Sequence, residues 1–167
     1  MSYNSPLIQA IEIAIQCAKR SPCQKSKRGV AAYFDETFIV GAFNGPPIPF
    51  GCPGISVCGQ KCRELARHAE SRALRSILTW AAREQLEPSS DLMLVHVKVE
   101  NGNLVPSGNP SCLPCAAEIV EAKAFLWLFH ENGWKCYNGV DLYQESLKYH
   151  GMGVYGQKLN LLGMTFE

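Results

Sequence analysis

The chain has 167 residues, of which 47% are hydrophobic and 19% charged, ordinary values for a globular domain; residues 1–167 are expected to form one domain with a core of its own. With 16 Lys+Arg against 15 Asp+Glu the formal charge is +1, so there is no global basic field of the kind nonspecific nucleic-acid binders rely on, and a small substrate is the better expectation. No apolar run reaches the roughly 18 residues of a membrane span, and the N-terminal segment from Met1 to Pro6 shows neither the basic nor the apolar part of a secretory leader. A cytoplasmic protein with no membrane partner is expected, and in a reducing compartment its eight cysteines would bind metal or pack rather than form a disulfide framework.

Residues 6–19 read as an amphipathic helix, with Ser5 as N-cap, Pro6 at the first helical position and an apolar stripe of Leu7, Ile8, Ile11, Ala14, Ile15 and Ala18. Ser21-Pro22 ends it. A short basic connection carries Lys25, Lys27 and Arg28. Residues 30–34 and 38–43 then look like a hairpin around Asp35-Glu36-Thr37. Asn44-Gly45-Pro46-Pro47 breaks the second strand and opens a Gly-, Pro- and Cys-rich loop to about Gly59; a loop of that length is usually functional or held by something.

A second helix is expected to start between Cys62 and His68 and to run to about Gln85, before Pro88-Ser89-Ser90. Residues 92–99 alternate as a strand, with Leu92, Leu94, His96 and Lys98 on one face and Met93, Val95, Val97 and Val99 on the other. Asn101-Gly102 signals a turn. Residues 106–110 form a rigid loop leading to Cys112, and a helix follows to about Lys123. Residues 125–129 form a strand, ended by Glu131-Asn132-Gly133. Asn138 caps a last helix to Tyr149, and residues 159–166 suggest a final edge strand. The order of elements points to an α/β fold with helices on both faces of a mixed sheet.

The chemistry concentrates in His68-Ala69-Glu70 and, 42 residues past Glu70, in Cys112-Leu113-Pro114-Cys115. An imidazole and two thiolates suit Zn²⁺, and three protein ligands leave a fourth position open for water. Glu70, two residues from the histidine, can lie beside that water without binding the metal and act as general acid and base. Both motifs fall at helix starts, where the helix dipole favours thiolate, and a spacing of three puts both sulfurs on one side of a first turn. Cys112 and Cys115 alone would equally suit a structural zinc knuckle or a redox pair. The His-x-Glu on another helix start turns the reading toward catalysis.

His68-Ala69-Glu70 with Cys112-x-x-Cys115 resembles the zinc-dependent cytidine/deoxycytidylate deaminase superfamily, whose signature is H-x-E followed by P-C-x-x-C. Phe43-Asn44-Gly45-Pro46-Pro47 is similar to a segment of its deoxycytidylate-deaminase branch. The resemblance spans roughly residues 6–130. It departs in two places: Ser111 separates Pro110 from Cys112, and Cys52, Cys58 and Cys62 cluster just before the first motif. It implies a three-layer α/β/α sandwich around a five-stranded mixed sheet, one catalytic Zn²⁺ on His68, Cys112 and Cys115, and Glu70 as the proton carrier. It also implies Asn44 as a substrate contact near the sugar, and the backbone around Ala69 and Ser111 as the contact to the base edge. The implied reaction replaces the exocyclic amine of a nucleobase by a keto oxygen and releases ammonia. A cytosine-type ring is expected, as free base, nucleoside or nucleotide. A homo-oligomer is expected as well.

Rival readings remain at this stage. The substrate is alternatively a polynucleotide or a purine base, or the domain is a zinc-stabilised binding module without turnover. Asn44 is alternatively a plain turn residue. Cys52, Cys58 and Cys62 either hold a second, structural Zn²⁺ or pack as thiols. Lys25, Lys27 and Arg28 either reach a substrate phosphate or form a solvated loop, and Arg63, Arg67 and Arg72, which flank the metal-bearing helix, are alternative candidates to line an opening. His96 and His130 read as structural or surface residues, and Trp127 and Trp134 as packing.

Overall fold

The computed structural model describes residues 5–34, 38–47, 51, 52, 54, 66–86 and 92–151. Among these, helix α1 (Pro6–Arg20) begins with Pro6 in its first turn and ends at Ser21, with Lys19 and Arg20 in its last turn, where cations suit the helix dipole. Its buried face is Ala10, Ala14 and Ala18, one residue per turn. The expected stripe of larger residues is shifted: Leu7, Ile11 and Ile15 pack at the flanks, and Ile8 is 45% exposed. Small side chains at the centre let the helix lie close on the sheet. Gly29 completes the fit, since a Cβ there would run into the Ala14 carbonyl oxygen.

The sheet contains β1 (Lys27–Phe34), β2 (Phe38–Phe43), β3 (Met93–Glu100), β4 (Asn103–Val105), β5 (Phe125–His130) and β6 (Gly133–Asn138). Its order is β2-β1-β3-β5-β6, with the short β4 paired to β3. Only β3 and β5 run parallel; β1 is antiparallel to β2 and β3, and β5 to β6. The sheet is therefore mixed, as expected, but with six strands among the described residues rather than five. Two of them, β4 and β6, correct the sequence reading. So does the start of β1, which takes in Lys27 and Arg28 in place of a loop.

The strands alternate between two cores, as a period of two requires. Ala31, Val95, Val97 and Val99 face α1, with Trp127 and Trp134 beside them. Val30, Ala32, Phe34, Leu94, Leu126 and Leu128 face the opposite way, onto helices α2 (Ala69–Arg83), α3 (Leu113–Glu121) and α4 (Gly139–Tyr149). The result is three layers, helix on sheet on helices. Ile77, Ile119 and Leu142 are fully buried in the second core, each contributing about 1.5–3 kcal/mol through burial. Asn138 caps α4 as expected, its side chain accepting from the Asp141 N–H at 2.8 Å. No described helix is long and apolar enough to cross a membrane. The hairpin turn at 35–37, the start proposed for α2 at 62–65, its stop at 88–90 and the edge strand at 159–166 lie outside the described residues.

Candidate active site

His68 is the N-cap of α2, and Cys112 is the N-cap of α3. Side chains at N-caps ordinarily accept from the first backbone N–H groups of the helix. Neither of these does so; instead they turn toward each other. His68 Nδ1 lies 3.1 Å from Cys112 Sγ and 3.3 Å from Cys115 Sγ. One nitrogen and two sulfurs thus sit within 4.8 Å of one another, at the meeting point of two helix N-termini. The three residues expected to hold metal are brought together by the fold.

Several bonds keep those helix starts in register. Ser71 Oγ on α2 donates to Glu118 Oε1 on α3 at 3.1 Å. Arg72 donates to the carbonyls of Gly45 and Pro46 at 2.8 and 2.7 Å and lies over the Phe43 ring. Its guanidinium is therefore committed to the backbone and does not line an opening. Ser146 on α4 donates to the Ser111 carbonyl at 2.8 Å, fixing the loop that delivers Cys112.

Glu70 lies in the first turn of α2 and is only 5% exposed. Ser111 Oγ donates to its Oε1 at 3.1 Å, and His96 Nε2 stands 4.0 Å from the same oxygen. Burial pushes the Glu70 carboxyl up. The neighbouring His96, its own backbone N–H, His68 and Arg28 outweigh that and hold it below the ordinary carboxylate range. Burial also drives His96 down to about 4, with Glu70 opposing the fall and Arg28 and His68 adding to it. A neutral ring carries no charge, so near pH 7 the charges that favour the Glu70 carboxylate are those of His68 and Arg28.

The sulfur pair behaves as a donor set short of positive charge. The S–H of Cys115 holds Cys112 down to about 5, with His68 also favouring the thiolate. Cys115 is correspondingly raised, first by its bond to Cys112 and then by burial, because removing its proton would put two sulfur anions in contact. The His68 imidazolium is favoured for the same reason, chiefly by Cys112. A divalent cation would satisfy all three. The donor chemistry, one imidazole nitrogen and two sulfurs, fits Zn²⁺ better than hard cations that prefer oxygen.

A hollow of about 140 Å³ opens beside His68, walled by Cys23, Asn44, Pro46, Cys52 and Arg67 among others. Asn44 is thus at the site, but most of its amide is already engaged. Oδ1 accepts from Ser21 Oγ and from the Arg28 N–H, each at 2.8 Å, and Nδ2 donates to the Ser26 carbonyl at 2.8 Å. Ala69 is fully buried at the start of α2, and Ser111 is 7% exposed. Of the cysteines suggested for a second zinc, Cys52 lines the hollow, while Cys58 and Cys62, like Arg63, lie outside the described residues. His68, Cys112 and Cys115 are the one metal-ligating group found among the described residues.

His96, read as structural or surface, is a buried residue, and its place beside Glu70 was not foreseen. The signal was present: it shares the β3 face of Leu94, and that face packs on α2.

The sequence matches no protein-family model and no curated protein. Among solved structures the chain is similar to a cytidine deaminase from Burkholderia pseudomallei, at 17% identity and a TM-score of 0.49, over 85% of this chain and 96% of that one.

Proposed function

We propose that the protein is a zinc-dependent hydrolytic deaminase of a nucleobase, nucleoside or nucleotide with a cytosine-type ring. The observation that carries this reading is the convergence of His68 Nδ1 with the sulfurs of Cys112 and Cys115, with a buried carboxylate, Glu70, two residues from His68 and outside that donor set. His68, Cys112 and Cys115 would hold Zn²⁺, which supplies a Lewis acid and a nucleophile available at neutral pH.

The chain's own residues do the rest. Glu70, ionised at neutral pH, takes one proton from water and passes it to the ring nitrogen, then takes the second from the hydroxyl now on the ring carbon and passes it to the departing amine. Ser111 fixes Oε1 of Glu70, so Oε2, with no hydrogen bond from another described side chain, is the oxygen left to carry protons. Asn44 has one amide hydrogen to spare for a substrate hydroxyl, and the backbone at Ala69 and Ser111 faces the base edge. Water and the amino-substituted ring give the keto ring and ammonia. The small hollow and the charge of +1 favour a monomeric substrate over a polynucleotide. The same reading takes the enzyme as a cytoplasmic homo-oligomer of the deoxycytidylate-deaminase kind, acting in nucleotide metabolism.

The test is ammonia release by the zinc-replete protein from cytosine, cytidine, deoxycytidine, their monophosphates, guanine, adenine and short oligonucleotides. Turnover of a cytosine-ring monomer supports the reading. Turnover of purines alone, of oligonucleotides alone, or of nothing in the panel refutes it.

A further inference from the structure

Two side chains under α2 take no part in the chemistry above and are costly where they stand. His96 is 2% exposed, and its Nδ1 has no hydrogen-bond partner among the described residues. Arg28 Nη1 lies 3.4 Å from His96 Nε2. A guanidinium only donates, so Nε2 is the acceptor and the ring hydrogen sits on the unpartnered Nδ1. A leucine in this slot would fill the same core without burying an unmet donor. Arg28 itself is half-buried, and it makes none of the ion pairs found among the described residues.

The sheet register explains why they meet. Val30 pairs with His96 and Arg28 with Lys98, so Arg28 is the diagonal neighbour of His96, on the strand face that packs on α2. Arg28 Nε is braced by Ser26 Oγ at 3.1 Å, and Nη1 also reaches the Ser107 carbonyl at 3.5 Å. The same Nε2 stands 4.0 Å from Glu70 Oε1. Oε1 of the carboxylate thus has the Ser111 hydroxyl at hydrogen-bond distance and the imidazole held by Arg28 as a neighbour.

We propose that Arg28 and His96 are positioning residues for Glu70: Arg28 pins the imidazole, and the imidazole walls the inner side of the carboxylate, so that Oε1 stays on Ser111 and Oε2 is presented to the substrate. The proposal rests on the deaminase reading for its kinetic consequences, but not for its structural one. Neutrality of the ring, with its pKa near 4, keeps Nε2 available as an acceptor for Arg28.

The experiment compares wild type with His96→Leu, His96→Gln, Arg28→Met and the double variant Arg28→Met/His96→Leu. Zinc content and kinetics are measured on deoxycytidine monophosphate, or on the panel member the wild type turns over fastest. A crystal structure of the zinc-loaded His96→Leu protein accompanies them. The expected result is full zinc in every variant, a fall in kcat of about 10–100-fold with KM within about twofold for His96→Leu, and partial recovery in His96→Gln, whose amide can replace Nε2. The double variant should be little worse than His96→Leu alone, and Glu70 should leave Ser111 in the crystal. Wild-type kcat in His96→Leu, a loss that tracks zinc loss, or no advantage of Gln over Leu would overturn the proposal. If His96→Leu does not fold, Arg28→Met carries the same kinetic test. A wild type inactive on every substrate sinks the deaminase reading, whereas an unmoved Glu70 in the His96→Leu crystal sinks this one.

Discussion

Ser111 and Glu70, 41 residues apart, are joined by a 3.1 Å hydrogen bond between the hydroxyl and Oε1. The bond ties the loop entering α3 to the first turn of α2, and so couples the two motifs through a second link besides the His68–cysteine contacts. Ser111 is also the residue that separates Pro110 from Cys112. A hydrogen bond to a buried carboxylate is worth about 1.5–3 kcal/mol. Ser111→Ala is therefore expected to lower kcat by about 10–100-fold while zinc content is unchanged. Steady-state kinetics with metal analysis on the same preparation checks this.

His96 makes a prediction about stability against pH. Its folded pKa, about 4, lies below the ordinary histidine value of 6.5, so unfolding takes up a proton at intermediate pH. Stability should be complete above about pH 6.5 and should fall by about 3 kcal/mol as pH drops toward 4, the linkage equivalent of that shift. The charged groups around the ring are Glu70, which opposes the shift, and Arg28 and His68, which add to it. Urea unfolding between pH 8 and pH 4.5 should show the loss, and His96→Gln should flatten it. An equally steep profile in that variant would assign the loss to other groups.

Much of this arrangement is legible in the sequence, and the limits are physical. His68, Glu70, Cys112 and Cys115 could be named in advance because a candidate metal-ligating set and a carboxylate beside it are marked by residue type and by position in a helix turn. Asn138 was visible as a cap for the same reason. The strand β6, Gly-Trp-Lys-Cys-Tyr-Asn, was not: it is an outer strand with few buried side chains, and its signal was taken up by the turn before it. β1 begins at Lys27 because the rim of a sheet tolerates polar residues. His96 shows the deeper limit. Strand periodicity assigns it a face, but only the pairing of β3 with β1, and the seat of α2 above both, reveals that Glu70 and Arg28 share that face.

Asn44 illustrates a residue with two jobs. Its side chain ties Ser21, Ser26 and Arg28 together after α1, and it lines the hollow beside His68. Asn44→Ala removes three hydrogen bonds, each worth about 1 kcal/mol, and so is expected to cost about 2–3 kcal/mol of stability. Under the proposed function it should also raise KM by about tenfold or more, through the loss of the remaining amide hydrogen. Thermal unfolding separates the first effect, and kinetics well below the melting transition reads the second. A lowered melting temperature with unchanged KM would leave Asn44 as a staple alone.

The central claim is that one zinc, gripped by His68, Cys112 and Cys115, works beside a carboxylate that moves protons. The most direct measurement is zinc content and ammonia release for wild type and Glu70→Gln, side by side. The account predicts roughly one zinc per chain in both proteins, with ammonia released by the wild type and abolished, by about a thousandfold or more, in Glu70→Gln. Wild-type turnover in Glu70→Gln, or a wild type that carries no zinc after growth in replete medium, would contradict it.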